Sequence, residues 1–356
     1  MSYLFSGGAI GNLEVRNRII MTAMQTGFSM EKEAEFLVSC AAGGAAAVTI
    51  VAGVSPRGVF YNCILADEAH TEYLKGLSDA VRARGSHLIV QLFHSGRNAK
   101  QENLYDPALP PLAPSPIPSP LYKQLPEEMT AVDIAEAKRQ FVDAALVCKE
   151  AGVGAIEINC TAGYLLTEFI SPLTNLRTDK YGGSLENRLR FPSEVIKDVR
   201  AAVGQDYSVM IRVSGTDLLG GYEVEDVIAL LEGVRNPDGS HPIDLVCVTG
   251  GWHESKIPQI SADVEPGSFT YLAREIKDGT GLPAVACNRI NDGEIAERVL
   301  ARGDGDFVGI ARGFLADPDF ANKLQHGEKI NRCIACNQCI KQVLRVQEIH
   351  CTVNEF

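Results

Sequence analysis

Cysteines are concentrated at the carboxyl end of this sequence of 356 residues. Cys333, Cys336 and Cys339 are separated by two residues each, and Cys351 follows shortly after. Clustered thiols in a reducing compartment are typical metal ligands, whereas disulfide frameworks are typical of short exported chains. The spacing therefore predicts a metal centre. The other six cysteines are scattered, and we expect them to pack as small hydrophobes; they are Cys40, Cys63, Cys148, Cys160, Cys247 and Cys287.

Two arginines and a glycine-containing turn mark possible anion sites. Arg212 lies in an apolar run, and a buried guanidinium is costly unless an anion or a carbonyl pairs with it. An internal ion pair with a carboxylate of the same barrel is the alternative. Arg289 and the turn at 309–313 combine a guanidinium with backbone N–H groups, which suits a phosphate dianion. These positions predict a phosphate site.

Tyr164 and His253 are candidates for proton transfer. A tyrosine hydroxyl can donate a proton, and a neighbouring histidine can hold and replenish it. A tyrosine after a glycine can equally be a packed loop residue, and a single histidine can be a surface group. Both roles remain open on the residue types alone.

The elements that would position these residues are eight apolar runs alternating with eight segments of helical periodicity. The predicted strands are 18–24, 46–53, 87–93, 153–160, 207–213, 243–249, 283–288 and 306–310. The predicted helices are 31–42, 68–84, 131–150, 184–203, 224–234, 269–277, 292–301 and 318–326. Thr130 is the expected N-cap of the third helix, with Asp133 as its capping-box partner.

This pattern predicts an α/β protein, specifically a (β/α)8 TIM barrel with a short cysteine-bearing extension at its carboxyl end. The strands are nearly continuous in apolar character, as in a parallel sheet covered on both faces. An open doubly wound sheet is the alternative, but no GxGxxG turn follows the first strand. We predict a barrel over 1–327 and a cluster-binding segment over 328–356. A proline-rich stretch, 106–127, is expected to lie over the barrel mouth.

Composition excludes several classes of protein. A hydrophobic content of 46% with 22% charged residues is ordinary for a globular enzyme. The net charge of −12 argues against binding to nucleic acid or an anionic membrane. The longest apolar stretch, 41–54, is too short to span a bilayer, and the first residues lack a secretory pattern. We therefore expect a cytoplasmic protein.

Several long motifs resemble those of the Old Yellow Enzyme flavoproteins, in the right order and across essentially the whole chain. They are the stretches 17–24, 91–97, 163–188 and 309–318. The Gly-Trp-His-Glu at 251–254 and the Cys-Ile-Ala-Cys at 333–336 are most similar to the 2,4-dienoyl-CoA reductase and 2-enoate reductase branch. That branch contains iron–sulfur flavoenzymes and is related to trimethylamine dehydrogenase.

The resemblance implies FMN at the barrel mouth and a [4Fe-4S] cluster on the four terminal cysteines, with zinc or free thiols as alternatives. Tyr164 would protonate a substrate carbon while the flavin delivers hydride, and His253 would be its partner. Asn159 and Trp252 would contact the substrate. The flavin ring would lie against Ala23, Met24, Gln25, Gln91 and Arg212, and its phosphate against Arg289, Ala311 and Arg312.

Three departures from the family pattern qualify this reading. Two residues, not three, separate Cys336 from Cys339. Ala162 replaces a residue that grips the substrate carbonyl, and Leu173 replaces an arginine found in dienoyl-CoA reductases. The relatives also continue into flavin- and NAD(P)H-binding domains. Electrons from NAD(P)H are therefore expected to arrive through a separate FAD-containing reductase; a longer parent chain and direct reduction by NAD(P)H are the alternatives.

The resulting expectation is an FMN-dependent ene-reductase that acts on a small unsaturated carbonyl compound: an enoate, enoyl thioester or enone. One alternative is an amine dehydrogenase or demethylase of the trimethylamine dehydrogenase type. Another is a non-catalytic electron-transfer subunit. The sequence leaves the oligomeric state open.

Overall fold

Eight parallel strands close into a barrel in the computed structural model, which describes residues 2–256 and 260–354. The spatial order is β1-β8-β7-β6-β5-β4-β3-β2, and pairing of β1 with β2 closes the ring. The strands are β1 Ile19–Met21, β2 Ala47–Gly53, β3 His87–Phe93, β4 Ala155–Cys160, β5 Ser208–Ser214, β6 Leu245–Thr249, β7 Ala284–Ala286 and β8 Phe307–Gly309. The predicted TIM barrel is confirmed, and the doubly wound alternative is excluded because the sheet has no open edge between β1 and β2.

Helices surround this barrel in the expected alternation. They are α1 Met30–Ala42, α2 Thr71–Arg82, α3 Ala131–Glu150, α4 Leu185–Val203, α5 Val224–Gly233, α6 Thr270–Thr280, α7 Gly293–Ala301 and α8 Phe320–His326. Thr130 caps α3, and Asp133 completes the capping box, as predicted. Within the described residues no helix is both long and apolar enough to cross a bilayer.

The strand ends differ from the sequence prediction at the barrel mouth. Residues 22–24 were expected in the first strand, but β1 stops at Met21, so Ala23 and Met24 lie in the following loop. β7 stops at Ala286 because Asn288 and Arg289 have φ of 77° and 55°, which is incompatible with continued strand pairing. At the mouth, the loops therefore begin earlier in the chain than the apolar runs predict.

Three short helices were not predicted: Leu165–Ile170, Arg312–Ala316 and Gln338–Val343. Each has five or six residues, too few for helical periodicity to show in the sequence. The predicted start of the second helix at 68 is a 3-10 turn, Glu68–His70, before α2 begins. A hairpin of Gly8–Ile10 and Leu13–Val15 lies at the amino ends of the strands, where Ser208 donates a hydrogen bond to the Ile10 carbonyl at 2.7 Å.

The proline-rich stretch lies against the mouth, as expected. The Pro118 carbonyl accepts a hydrogen bond from Arg97 at 3.1 Å, and Ser119 donates one to Glu254 at 3.2 Å. A short parallel pairing of Leu112–Ala113 with Glu127–Glu128 closes this stretch on itself. Through its hydrogen bonds to Arg97 and Glu254, the proline-rich stretch joins the loop after β3 to the loop after β6.

The segment after α8 packs on the barrel. Ile349 donates its backbone N–H to the Thr26 carbonyl at 2.8 Å, and Glu348 forms an ion pair with Lys32. The Asn291 side chain donates a hydrogen bond to the Cys333 carbonyl at 2.8 Å. The segment thus touches the loops after both β1 and β7, while Glu355 and Phe356 lie outside the described residues. The division between residues 327 and 328 stays a prediction.

Candidate active site

Tyr164 and His253 meet at the barrel mouth although they follow different strands. The Tyr164 hydroxyl lies 3.0 Å from Nε2 of His253, and the two rings form an edge-to-face pair with centroids 5.3 Å apart. Phe93 packs edge-on against the tyrosine ring at 4.5 Å. The structure therefore brings the two predicted proton-transfer residues within hydrogen-bond distance.

The backbone of the loop after β4 fixes this arrangement. Ala162 and Gly163 both have positive φ, 60° and 86°, which turns the chain so that Tyr164 follows directly. A side chain at position 163 would also lie 3.0 Å from the Trp252 ring, so glycine is required there. Ala162 forms a bridge with Trp252, and the N–H of His253 donates to the Ala162 carbonyl at 3.4 Å. The two loops are thus joined through their main chains.

Desolvation and charge set the protonation states of the pair. Desolvation among the surrounding loops lowers the pKa of His253 to about 4, although the residue is exposed at the open mouth, and the positive charge of Arg212 contributes to the same shift. Burial raises the pKa of Tyr164 well above its ordinary value. At neutral pH the phenol is therefore protonated and the imidazole is neutral. A neutral imidazole accepts the hydrogen bond that the phenol donates.

Below this pair, the inner surface of the barrel presents a chain of polar side chains. Gln91 donates a hydrogen bond to Glu157 at 2.5 Å and accepts one from Asn159 at 2.8 Å. Burial raises the pKa of Glu157, which the charge of Arg212 opposes. The side-chain amides of Gln91 and Asn159 are consequently held in fixed orientations.

Arg212 lies beside this chain, and its guanidinium donates a hydrogen bond to the Ala23 carbonyl at 3.3 Å. Among the described residues no carboxylate lies within 4.0 Å of it, so the ion-pair alternative is not what the structure shows. The negative charge of Glu157 acts on the Arg212 guanidinium from a greater distance. Arg212 also lines a mouth cavity, where an anionic group could reach it.

That cavity, of about 100 Å³, is also lined by the predicted phosphate residues Arg289, Ala311 and Arg312. Arg289 donates a hydrogen bond to the Ala262 carbonyl at 3.2 Å, and Arg312 donates one to the Ile260 carbonyl at 2.9 Å. Neither arginine forms an ion pair with a described carboxylate. Burial and the like charge of Arg312 lower the pKa of Arg289. Two guanidinium groups without a counter-charge favour an anion between them.

Met24 and Gln25 line a second cavity, of about 310 Å³, between the loop after β1 and the start of α2. Glu33 of α1 reaches this cavity and accepts a short hydrogen bond from the Thr26 hydroxyl. Burial raises the pKa of Glu33 to about 7. The cavity also contains three tyrosines, which are Tyr61, Tyr73 and Tyr105.

The four terminal cysteines line one small cavity together with Arg312. Cys339 is buried, Cys336 is exposed, and the other two are half-buried. Ala335 and Asn337 have φ of 53° and 59°, so the loop is sharply bent between the cysteines. In residues 2–256 and 260–354 no three His, Cys, Asp or Glu side chains are arranged to hold a single metal ion. The four thiols share a cavity without converging on one point.

Trp252 lies deeper beneath the surface of the mouth than Tyr164 and His253. It is only 1% exposed, and its indole N–H donates to the Tyr222 hydroxyl at 2.9 Å. It packs beneath the turn that carries Tyr164. A direct contact between Trp252 and substrate stays a prediction.

Sequence reasoning missed two features of the site. One is Glu157, the partner of Gln91. The other is a buried ion pair between Arg97 and Glu254, 2.7 Å apart, which joins the loop after β3 to the residue following His253. The alternation of β4 places 155, 157 and 159 on one face, so Glu157 could have been found from its spacing to Asn159. The ion pair has no such signal because it depends on loop placement.

Comparisons with known proteins agree with this geometry. The NADH:flavin oxidoreductase / NADH oxidase family matches residues 3–331. A metal reductase of Desulforamulus reducens is 42% identical over 364 residues, covering 99% of this chain and 54% of that protein. An NADPH dehydrogenase of Bacillus velezensis is 32% identical over 330 residues, covering 89% of this chain and 93% of that protein.

A solved structure of 2-naphthoyl-CoA reductase in complex with 2-naphthoyl-CoA is also similar. It has a TM-score of 0.92 and 32% identity, and the match covers 99% of this chain and 57% of that one. The chain thus spans about half the length of the metal reductase and of the naphthoyl-CoA reductase. By the extent of these matches, the chain belongs to the NADH:flavin oxidoreductase / NADH oxidase family, the Old Yellow Enzyme family of oxidoreductases that its motifs resemble.

Proposed function

We propose that the chain binds FMN at the barrel mouth and reduces an activated C=C bond of an enoate, enoyl thioester or enone. The observation that supports this best is the Tyr164–His253 pair, 3.0 Å apart at the mouth and beside the Arg212 guanidinium. A protonated phenol near a fixed positive charge can complete a reduction that begins with hydride addition.

The donor groups at the mouth fit FMN. Arg289 and Arg312 line one cavity and have no described counter-ion, which suits a terminal phosphate. Arg212 is oriented by the Ala23 carbonyl and would stabilise negative charge on the reduced ring. Bound FMN would supply hydride. Gln91, Ala23, Met24 and Gln25 are the side chains we assign to the ring.

Tyr164 is the proposed proton donor. Hydride addition to the β-carbon of an unsaturated carbonyl compound leaves enolate character, and the adjacent carbon then needs a proton. The high pKa of Tyr164 keeps the phenol protonated until that charge develops. His253, neutral at working pH, fixes the direction of the hydroxyl. Asn159 is proposed to bind the carbonyl, since its amide group has a second N–H besides the one given to Gln91.

We propose a [4Fe-4S] cluster on Cys333, Cys336, Cys339 and Cys351. Three closely spaced cysteines with a fourth further along the chain, all lining one cavity, resemble the ligand set of a cubane more than the two separated CxxC pairs typical of structural zinc. Arg312 donates a hydrogen bond to Asn337 of this loop at 2.7 Å and also lines the phosphate cavity. The two sites are therefore adjacent, which supports an electron relay. NAD(P)H, acting through a reductase partner, is the proposed source of electrons.

An amine dehydrogenase is the second candidate. The cavity of about 310 Å³ combines three tyrosines with the buried carboxyl of Glu33, and aromatic faces together with a carboxylate can bind a cationic amine. This cavity adjoins Met24 and Gln25, which we assign to the flavin ring. The candidates differ in substrate class and in the direction of electron flow.

One experiment separates the candidates. Protein purified without oxygen would first be analysed for flavin, iron and sulfide. Steady-state assays would then offer a panel of enoates, enoyl thioesters and enones with a reduced mediator, and methylamines with an oxidised one. We expect reduction of at least one unsaturated carbonyl compound. Turnover of amines alone would favour the second candidate, and no turnover in either direction would favour a non-catalytic electron-transfer subunit.

The pH dependence of kcat/KM tests the assigned protonation states. We expect no inflection between about pH 5.5 and 8.5 from this pair, because His253 loses its proton near pH 4 and Tyr164 keeps its own far above neutrality. Activity should fall only as the pH approaches about 4, where His253 becomes charged and can no longer accept the phenol hydrogen bond. An inflection near the ordinary histidine value that disappears in His253→Asn would contradict this assignment.

Replacing Arg312 with alanine tests the phosphate site. The affinity for FMN should fall at least about tenfold, since hydrogen bonds between charged groups contribute about 1.5–3 kcal/mol. Affinity for riboflavin, which lacks the phosphate, should change little. Quenching of flavin fluorescence measures both, with Arg274→Ala, an exposed arginine of α6, as the control. Equal losses for both flavins would show that Arg312 acts on the loop and not on the phosphate.

A further inference from the structure

Two buried cysteines outside the terminal cluster lie within reach of one another. The Sγ atoms of Cys247 and Cys287 are 3.4 Å apart. Cys247 lies in β6, and Cys287 directly follows β7, its parallel neighbour. Inward-facing positions alternate along a strand, and Cys247 and Cys287 both lie on the inner face, packed among side chains of the barrel interior. The register partner of Cys247 is Val285, so the two thiols form a diagonal pair across neighbouring strands.

The pair lies at the mouth of the barrel and not in its sealed base. Cys247 is the register partner of Arg212, which places them side by side on β5 and β6. Cys287 lines the mouth cavity together with Arg212 and Arg289. A Cβ atom on Gly309 would lie 2.4 Å from the Cys287 sulfur, so this glycine leaves the room that the thiol occupies. A reactant in the cavity can thus reach Cys287 directly.

The surroundings of the pair differ from those of the other buried cysteines. Burial raises the pKa of Cys160 to about 12, and it also raises the pKa of Cys40 and Cys148. At Cys287 the hydrogen bond from the Cys247 thiol and the charge of Arg212 lower the pKa despite burial. The thiolate is the reactive form of cysteine. Cys287 also lines the cavity, so it is the sulfur of the pair that a reactant meets first.

We propose that Cys247 and Cys287 form a dithiol–disulfide couple that exchanges two electrons with the flavin at the barrel mouth. The proposal rests on the proposed function, which supplies the flavin. In the oxidising direction the two S–H bonds break and one S–S bond forms. The two electrons and two protons released pass to the oxidised flavin, which becomes the two-electron reduced form, and the reverse reaction restores both thiols.

The two sulfur atoms are already in contact. A disulfide bond is about 2.05 Å long, so the sulfurs must approach by about 1.4 Å from their present separation of 3.4 Å. Disulfides in reducing compartments are usually transient and catalytic or redox-sensing, which fits a couple next to a redox cofactor. The couple would give the chain a store for an electron pair, separate from the proposed cluster.

Electron counting on the holoenzyme tests the proposal. Protein would be fully reduced without oxygen, freed of reductant, and titrated with a two-electron dye acceptor while the flavin absorbance is followed. We expect wild-type protein to consume one more equivalent of dye per chain than Cys287→Ser or Cys247→Ser. Cys148→Ser, which removes a buried thiol of α3, is the matched control and should behave as wild type.

Peptide mapping of the same wild-type samples gives a second readout that does not depend on the variants folding. Trypsin releases Cys247 in the peptide 236–256 and Cys287 in the peptide 278–289, each as its only cysteine. After alkylation in denaturant, these peptides should be linked in oxidised protein and separately alkylated in reduced protein. If the flavin reoxidises fully while both cysteines remain alkylated, the proposal is overturned. A protein without flavin would instead refute the proposed function, which the initial absorbance reveals.

Discussion

Replacing Tyr164 with phenylalanine is expected to lower turnover of an unsaturated carbonyl substrate at least about tenfold, because a positioned general acid typically contributes about 10²–10⁴-fold. The substitution removes the hydroxyl that lies 3.0 Å from His253 and keeps the ring that packs against Phe93 at 4.5 Å. Flavin content and thermal stability should therefore be nearly unchanged. The loss should reside in the proton-transfer step.

Rapid mixing can locate that loss. Reduction of the bound flavin by a mediator should proceed at the wild-type rate, because the phenol has no part in it. Reoxidation by the unsaturated substrate should be slow, because the proton donor is absent. Tyr207→Phe provides a matched control, since Tyr207 is also a half-buried tyrosine. Its hydroxyl donates a hydrogen bond to the Val153 carbonyl at 3.0 Å, near the amino ends of the strands. Unchanged reoxidation in Tyr164→Phe would remove this residue from the mechanism.

The barrel could be predicted from the sequence because the strands of a parallel sheet covered on both faces appear as nearly continuous apolar runs. Seven of the eight apolar runs contain a whole barrel strand, and the run 207–213 misses only the last residue of β5. The helix over 131–150 was located to the residue with its cap. Burial on both faces favours apolar side chains along most of each run. The family, shown by long ordered motifs, was likewise accessible.

The edges of the mouth were less predictable because they depend on backbone conformation and not on hydrophobicity. Asn288 is the last residue of the predicted strand 283–288 and Arg289 follows it, yet β7 ends at Ala286 and both residues have positive φ. The turn at Ala162 and Gly163 behaves in the same way. Such conformations are fixed by tertiary contacts, here the bridge between Ala162 and Trp252. An alanine or an arginine in a sequence gives little sign that its φ will be positive.

Pairings inside the barrel depend on strand register, which a single sequence does not contain. Gln91 and Asn159 fall near the ends of the predicted strands 87–93 and 153–160, but their hydrogen bond and the role of Glu157 follow from the alignment of β3 with β4. The approach of Cys247 to Cys287 likewise follows from the alignment of β6 with β7. Six cysteines were interpreted as separate small hydrophobes because nothing in their spacing connects these two.

Replacing Cys339 with serine is expected to reduce the iron bound per chain from about four atoms to below one. Cys339 is the most buried of the four cluster cysteines and is the second residue of the short helix Gln338–Val343, so its sulfur is held firmly toward the shared cavity. Serine keeps the size of the side chain but is a poor iron ligand. Iron and acid-labile sulfide analysis, together with the visible spectrum, measures the loss.

The flavin readout of the same variant decides whether the cluster relays electrons. FMN should remain bound, since Arg212 and Arg289 are untouched, although Arg312 contacts Asn337 in the cysteine loop. If the cluster is the entry point, reduction of FMN by a large redox partner should be slowed at least about tenfold, whereas reduction by a small mediator that enters the mouth should persist. Cys148→Ser should keep both iron and electron transfer. Zinc in place of iron in the wild-type protein would contradict the cluster assignment. Full iron content in Cys339→Ser would contradict it as well.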